Sequence, residues 1–285
     1  MPSEELEMNK TLSAAALTQY RNDGYHHPLD ILTAAEAADY RAHLEAIEQA
    51  QGHTIVGAER SKSHLLYTWI DDLIRHPGIL DVIEDLIGPD ILCWNTVWWI
   101  KEPMTDTFVS WHQDKLYVGL DTDEFVTAWL ALSPATIESG CMRVLPGSHK
   151  RDIMPHKDEF KENNLLSRGQ EIAVDIDESQ AVSMELAPGQ ISLHNVRLAH
   201  ASTPNVSNNR RIGLSMHFIP TSTRQIAKDW DSATLVRGED RYNHFTATPR
   251  PSHDLEEEAI LFHERATDAF RAIVFNDAER VRRRF

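Results

Sequence analysis

Arg211-Ile212-Gly213-Leu214-Ser215-Met216-His217-Phe218 alternates two chemistries without a break. Ile212, Leu214, Met216 and Phe218 are apolar, and the residues between them are small, polar or charged. Because successive side chains of a strand point to opposite faces, a strict period of two predicts a strand with one face in a core and the other on a different environment. In a closed barrel the polar set would face a cavity and the apolar set would pack under helices. Residues 91–100, 126–132, 181–186 and 191–196 also predict strands, separated by Ser133-Pro134, Pro146-Gly147-Ser148 and Pro188-Gly189 as turns. On either side the rhythm becomes helical. Residues 13–23 end at Gly24, and Thr33-Ala34-Ala35-Glu36 has the form of a capping box opening a helix to about Ala50. A third helix starts at Pro77 and stops at Gly88-Pro89, and near the end Phe262, Ala266, Ala269, Phe270 and Ile273 form one helical stripe.

Three separated pieces carry chemistry: Trp111-His112-Gln113-Asp114, His200-Ala201-Ser202 and Arg211, the last lying 211 − 200 = 11 positions beyond the second histidine. Two imidazoles and one carboxylate on one face of a metal leave the opposite positions open, as a non-haem iron(II) oxygenase needs for a co-substrate and O₂. The arginine offers a planar fork for a carboxylate, so the set reads as iron plus a keto-diacid. His-x-Asp is a short pattern, however, and occurs twice. The second copy, His156-Lys157-Asp158, sits in the polar run 155–164 and reads as a surface loop. His112 follows Phe108-Val109-Ser110-Trp111 and precedes Leu116-Tyr117-Val118, a β-favouring context able to fix both ligands.

The string Glu138-Ser139-Gly140-Cys141-Met142-Arg143-Val144-Leu145-Pro146-Gly147-Ser148-His149, then Pro188-Gly189-Gln190, then His200-Ala201-Ser202-Thr203-Pro204-Asn205 with Arg211, resembles the phytanoyl-CoA dioxygenase (PhyH) family. With the Trp-His-Gln-Asp motif, the likeness runs from about Leu92 to Thr223. It implies a mainly β fold with helical flanks, built on a double-stranded β-helix (jelly-roll, cupin-like) core that uses Fe(II), 2-oxoglutarate and O₂. Carried over residue by residue, His112, Asp114 and His200 match the metal ligands. Arg211 with Ser202 matches the pair holding the far carboxylate of 2-oxoglutarate, and Trp129 falls within about one residue of a tryptophan placed against the co-substrate. Relatives commonly have His-Gly-Ser where this chain has His200-Ala201-Ser202, a change expected only to tighten the turn. Halogenating relatives lack the carboxylate that Asp114 supplies, so its presence implies hydroxylation coupled to conversion of 2-oxoglutarate to succinate and CO₂. A desaturase or cyclase of the same cofactor class, and a non-catalytic jelly-roll module that binds metal or ligand, are the alternatives.

Composition sets outer limits. With 285 residues, 41% of them apolar, the chain is expected to fold as a single oxygenase domain: 1–90 mainly helical, 91–223 the β core, 224–285 a loop and terminal helix. A formal net charge of −16 argues against nucleic acid, whose phosphates demand clustered cations. Arg280-Val281-Arg282-Arg283-Arg284 is the one basic cluster and reads as a helix end or solvated tail. The acidic start MPSEELEMNK has no apolar core region and no run spans a bilayer, so no membrane partner is expected. Cys93 and Cys141 cannot build a disulfide framework, and a reduced, cytoplasmic setting is expected. The partner is a small-molecule substrate, expected to be zwitterionic or cationic, such as an aminophosphonate. Trp94, Trp98, Trp99 and Trp111 could cage an ammonium, though packed strand tryptophans are the plainer reading. By the same logic His194 reads as a hydrogen-bonded core histidine, Lys101 as exposed at a strand end, and Arg237-Gly238-Glu239-Asp240 as a solvated loop rather than a lid.

Overall fold

A computed structural model describes residues 11–276 and 278. In chain order it runs α1 (Ala14–Asp23), β1 (Tyr25–Asp30), α2 (Ala34–Gln51), α3 (Thr68–Ile74), α4 (Pro77–Ile87), β2 (Ile91–Lys101), β3 (Val109–His112), α5 (Lys115–Val118) and β4 (Val126–Ala131). Then come β5 (Met142–Val144), β6 (His156–Asp158), β7 (Gln170–Ile172), β8 (Val182–Met184), β9 (Gln190–Asn195), β10 (His200–Ser202), β11 (Arg211–Pro220), β12 (Ser232–Arg237), β13 (Thr246–Ala247) and α6 (Glu257–Val274). The motifs MPSEELEMNK and Arg280–Arg284 lie outside the described residues.

The strands form a seven-stranded sheet, β1-β9-β4-β11-β2-β12-β13, a four-stranded sheet, β3-β10-β5-β8, and the hairpin β6-β7. This is a double-sheet jelly roll rather than the closed barrel expected from β11. Strands also extend beyond the segment 91–223. β1 pairs with β9, and β12 pairs with β2, so segments expected to be helical or loop complete the large sheet.

β11 sits at the centre of that sheet, between β4 and β2, and its alternation does what the pattern predicts. Ile212, Leu214, Met216 and Phe218 share one core with Leu44 of α2, Leu73 of α3 and Ile79 of α4. Burying such side chains contributes roughly 1.5–3 kcal/mol each, which glues the helical layer to the sheet. The capping box of α2 is formed: Thr33 N–H donates to Glu36 Oε2 at 2.8 Å and Glu36 N–H donates to Thr33 Oγ1 at 3.2 Å.

The opposite face looks toward the small sheet. Across β9, β4 and β11, register aligns His194, Thr127 and His217 in one row and Ser192, Trp129 and Ser215 in the next. α6 closes one end of the sandwich, placing Phe270 and Val274 against Trp94 and Phe125. Ala266, Phe270 and Ile273 are buried as its stripe predicts, whereas Phe262 is half-exposed beside Trp230.

The four tryptophans do not make one cage. A bulge in β2 opposite β11, where Phe218 pairs with Cys93 but His217 pairs with Asn95, reverses the alternation between Trp94 and Trp98. Trp98 therefore joins the helix-side core, while Trp94 and Trp99 face inward. Trp111 lies apart, under the Arg143 guanidinium. Arg237 ends β12 and pairs with Asp81 and Glu84 of α4, each at 2.7 Å, so it anchors rather than gates.

Candidate metal centre and co-substrate slot

The two small-sheet strands that carry the histidines are direct partners. β10 pairs with both β3 and β5, and its register sets His200 opposite His112, with ring centroids 4.1 Å apart. Each imidazole donates from Nδ1 to the carbonyl two residues back: His112 to Ser110 at 2.9 Å, His200 to Leu198 at 3.0 Å. Those bonds select the tautomer that leaves Nε2 with a free lone pair. His112 Nε2 lies 3.3 Å from Asp114 Oδ1, and the three ligand atoms of His112, Asp114 and His200 fall within 4.8 Å of one another.

Asp114 is not on a strand, as its β-favouring neighbours suggest, but at the N-terminal boundary of α5 with helical dihedrals. Gln113 sets that turn. It is fully buried, its Nε2 donates to Arg197 O at 2.6 Å, and its Oε1 accepts from Met154 N–H at 2.8 Å. Its own N–H donates to His156 Nε2 at 3.1 Å. The second His-x-Asp triplet is thus no free loop: it forms β6, and its histidine buttresses the turn between the first two candidate ligands.

Burial lowers the His200 imidazole to about 4, with His112 adding to the effect, so it is neutral at ordinary pH. For Asp114 burial acts upward, but His200 and His112 outweigh it, and the carboxyl ends well below the usual range. A neutral His200 imidazole and an ionised Asp114 carboxylate, with His112 beside them, make a donor set that suits a divalent iron with open positions. His194, its ring 4.8 Å from His200, lines the same space and has no hydrogen-bond partner on Nδ1. His217, drawn in by the alternation of β11, is likewise held neutral by burial, at about 4.

From this cluster a narrow slot of about 70 Å³ runs to Arg211, passing Trp129 and Ser202. Arg211 is 2% exposed, its Nη1 donates to Gly140 O at 2.5 Å, and its Nε has no partner. Among the described residues no carboxylate pairs with it. Its guanidinium lies 5.4 Å from the Trp129 ring centroid, a ring that reaches this place because Gly213 has no side chain: a Cβ there would overlap the indole. A buried guanidinium without a counter-charge is costly, which fits the far carboxylate of a diacid.

Lys101 departs most from expectation. Instead of being exposed, it is fully buried directly opposite Arg211 in the β2–β11 register. Its Nζ donates to Ser202 Oγ at 2.7 Å and to the carbonyl of Thr203. Burial and the adjacent Arg211 depress its pKa to about 6. Lys101 ends the apolar run Val97-Trp98-Trp99-Ile100 but stands next to Glu102, and the chain gives no sign of its burial because the groups that bury its ammonium come from other strands.

A family model for phytanoyl-CoA dioxygenase (PhyH) matches residues 20–213. The chain belongs to that family. It is thereby placed among the Fe(II)/2-oxoglutarate-dependent oxygenases. It is 32% identical over 169 residues to a probable alpha-ketoglutarate-dependent hypophosphite dioxygenase of Stutzerimonas stutzeri, covering 58% of each chain. It is 30% identical over 179 residues to the peroxisomal phytanoyl-CoA dioxygenase of Homo sapiens, covering 58% of this chain and 53% of that one. The matches thus span little more than half the length of these curated relatives. Among solved structures, the non-haem monooxygenase ThoJ superposes with a TM-score of 0.79 at 35% identity, covering 90% of this chain and 96% of ThoJ. CytC3 with Fe(II) and alpha-ketoglutarate shares the fold at 22% identity and a TM-score of 0.64, covering 87% of this chain and 98% of CytC3. No helix among the described residues is long and apolar enough to cross a membrane.

Proposed function

We propose that this family member hydroxylates a C–H bond of a small metabolite. The balanced reaction is R–H + 2-oxoglutarate + O₂ → R–OH + succinate + CO₂. One observation carries the reading: the buried Arg211, its Nε unpaired and no carboxylate beside it among the described residues, closes a slot whose other end is the His112, Asp114 and His200 cluster. In this reading those three hold Fe(II), which with bound 2-oxoglutarate supplies the O₂-dependent oxidation. Arg211 and Ser202 hold the far carboxylate, and Trp129 walls it from water. Lys101, hydrogen-bonded to Ser202, fixes the hydroxyl's direction. The retained Asp114 carboxylate supports hydroxylation, since it occupies a position that another anion would need.

The test is the visible charge-transfer band that forms when 2-oxoglutarate chelates iron(II) under nitrogen, followed by succinate release on admitting air. Wild type should give both. His112→Ala and His200→Ala should lose both, while His156→Ala should keep them at reduced strength, since it buttresses the turn without binding metal. Loss of the band in His156→Ala together with its retention in His112→Ala would reassign the ligands. A band with no succinate would leave a binding module.

A further inference from the structure

Beside the slot lies a second, larger cavity of about 660 Å³, reaching from Asp114 to the 3₁₀ turn Gly57–Arg60. That volume is in the range that encloses a drug-sized ligand, and a two-carbon aminophosphonate would leave most of it to water. Its walls are mainly apolar: Val56, Val97, Leu165, Phe270 and Val274 among them. Two amide side chains on the wall are tied up by the protein, and His217, which the chamber shares with the slot, keeps a partnerless Nδ1. Asn164 Nδ2 donates to Ser110 Oγ at 2.8 Å and its Oδ1 accepts from Leu166 N–H at 3.1 Å, while Gln170 Oε1 accepts from Arg168 N–H at 3.2 Å.

Of the four aromatic rings lining this chamber, Trp99, Trp94 and Tyr117 already lie close to a cation of the protein, and Phe270 is packed edge-on against Trp94. Arg60 is 5.3 Å from the Trp99 centroid, Lys62 Nζ is 5.6 Å from that of Trp94, and Arg168 is 5.1 Å from that of Tyr117. A ligand ammonium would compete with resident cations for those faces and meet their repulsion. Among the described residues the only carboxylate on the wall is Asp114, which the proposed metal centre uses. This local electrostatics opposes the sign of the whole chain, whose net charge of −16 is carried elsewhere.

Arg60 is the unmatched group. Its Nε donates to Trp98 O at 3.2 Å and its Nη1 reaches Leu165 O at 3.5 Å, but among the described residues no carboxylate pairs with it and Nη2 donates to no protein group. Burial brings it down to about 10, which leaves it charged at neutral pH.

Resting on the proposed function, we infer that the substrate is an apolar molecule bearing one carboxylate, which Arg60 receives while the apolar body fills the chamber toward Asp114. The zwitterionic or cationic substrate expected from sequence does not suit this wall. Arg60 then selects and orients, fixing which carbon of the body reaches the metal centre.

The test compares probes of one apolar body and three head groups, decanoate, decanol and decyltrimethylammonium, with 2-aminoethylphosphonate as a small control. Binding is followed by calorimetry and by the fluorescence of the chamber tryptophans, on the full chain with iron(II) and 2-oxoglutarate under nitrogen. Decanoate should bind about tenfold or more tighter than decyltrimethylammonium, with decanol between. Arg60→Met should bring decanoate to within about threefold of decanol, and Arg60→Lys should restore part of the gap. Unchanged 2-oxoglutarate affinity in Arg60→Met reports an intact fold; if that variant fails to fold, the head-group order in wild type decides. Equal binding of the three heads, a preference for the ammonium or for 2-aminoethylphosphonate, or a decanoate preference surviving in Arg60→Met overturns the inference. Because binding is read without turnover, tight decanoate with no succinate in air counts against the proposed function alone. Succinate output indifferent to head group counts against Arg60 alone.

Discussion

Replacing Lys101 by methionine should uncouple 2-oxoglutarate binding from proton uptake. With its pKa depressed to about 6, Lys101 in the free protein is only ~1% protonated at pH 8. A carboxylate arriving at Ser202 and Arg211 stands roughly 4 Å from an ammonium at Nζ, worth about 4 kcal/mol at an effective dielectric near 20. That raises the lysine by about 3 units, to ~9, so close to 0.9 proton is taken up per diacid bound at pH 8. Calorimetric titration of 2-oxoglutarate into the anaerobic iron(II) protein, in buffers of different ionisation enthalpy, reads this number as a slope. Wild type should give a slope near one proton and Lys101→Met a slope near zero. The folded state also binds fewer protons than the unfolded chain between pH ~6 and the ordinary lysine value, so stability should rise with pH across that window. Lys101→Met should flatten that rise. A wild-type slope near zero, or the same slope in both proteins, refutes the reasoning.

Two further perturbations act on the same slot. Arg211→Ala removes a charge-assisted carboxylate partner worth roughly 2–4 kcal/mol, so 2-oxoglutarate affinity, read by anaerobic titration, should fall about 30-fold or more, and Arg211→Lys should recover only part. Gly213→Ala drives a Cβ into the Trp129 indole, and overpacking of this kind should cost about 1–3 kcal/mol in thermal unfolding and weaken 2-oxoglutarate binding with it.

What the sequence discloses is what neighbours along the chain decide. β11 is legible because its alternation is imposed by its own pleat, and the start of α2 because Thr33 and Glu36 satisfy each other locally. The His112–Asp114 spacing carries the candidate ligand pattern directly, and the motifs around Gly140 and His200 carry the family. Lateral partners are another matter. Lys101 looks solvated beside Glu102 and Pro103, and only the strand across from it shows the charge to be buried. His156 looks like loop because β6 is three residues long and exists through pairing with β7. The bulge that separates Trp94 from Trp98 leaves no trace in composition, since one extra residue in a ladder shifts faces without altering residue types. Arg60 offers no pattern at all: it stands in a short turn, and its importance comes from a cavity assembled by distant segments.

The two adjoining cavities are built from different material. The slot is walled mostly by paired strands, where moving a residue by one place turns its side chain to the other face. The chamber is walled largely by the turn at 56–61, the segment 164–170 and α6, and among the described residues only Trp99, Asp114 and His217 line both. Exchanges in the turn, the segment or the helix can therefore resize the chamber or change its polarity while the register that sets His112 against His200 stays fixed. On the proposed function, such a chain is free to drift from one substrate to another by single steps, each intermediate keeping its oxidant, and a library aimed at those loops would sample new specificities without first losing the chemistry.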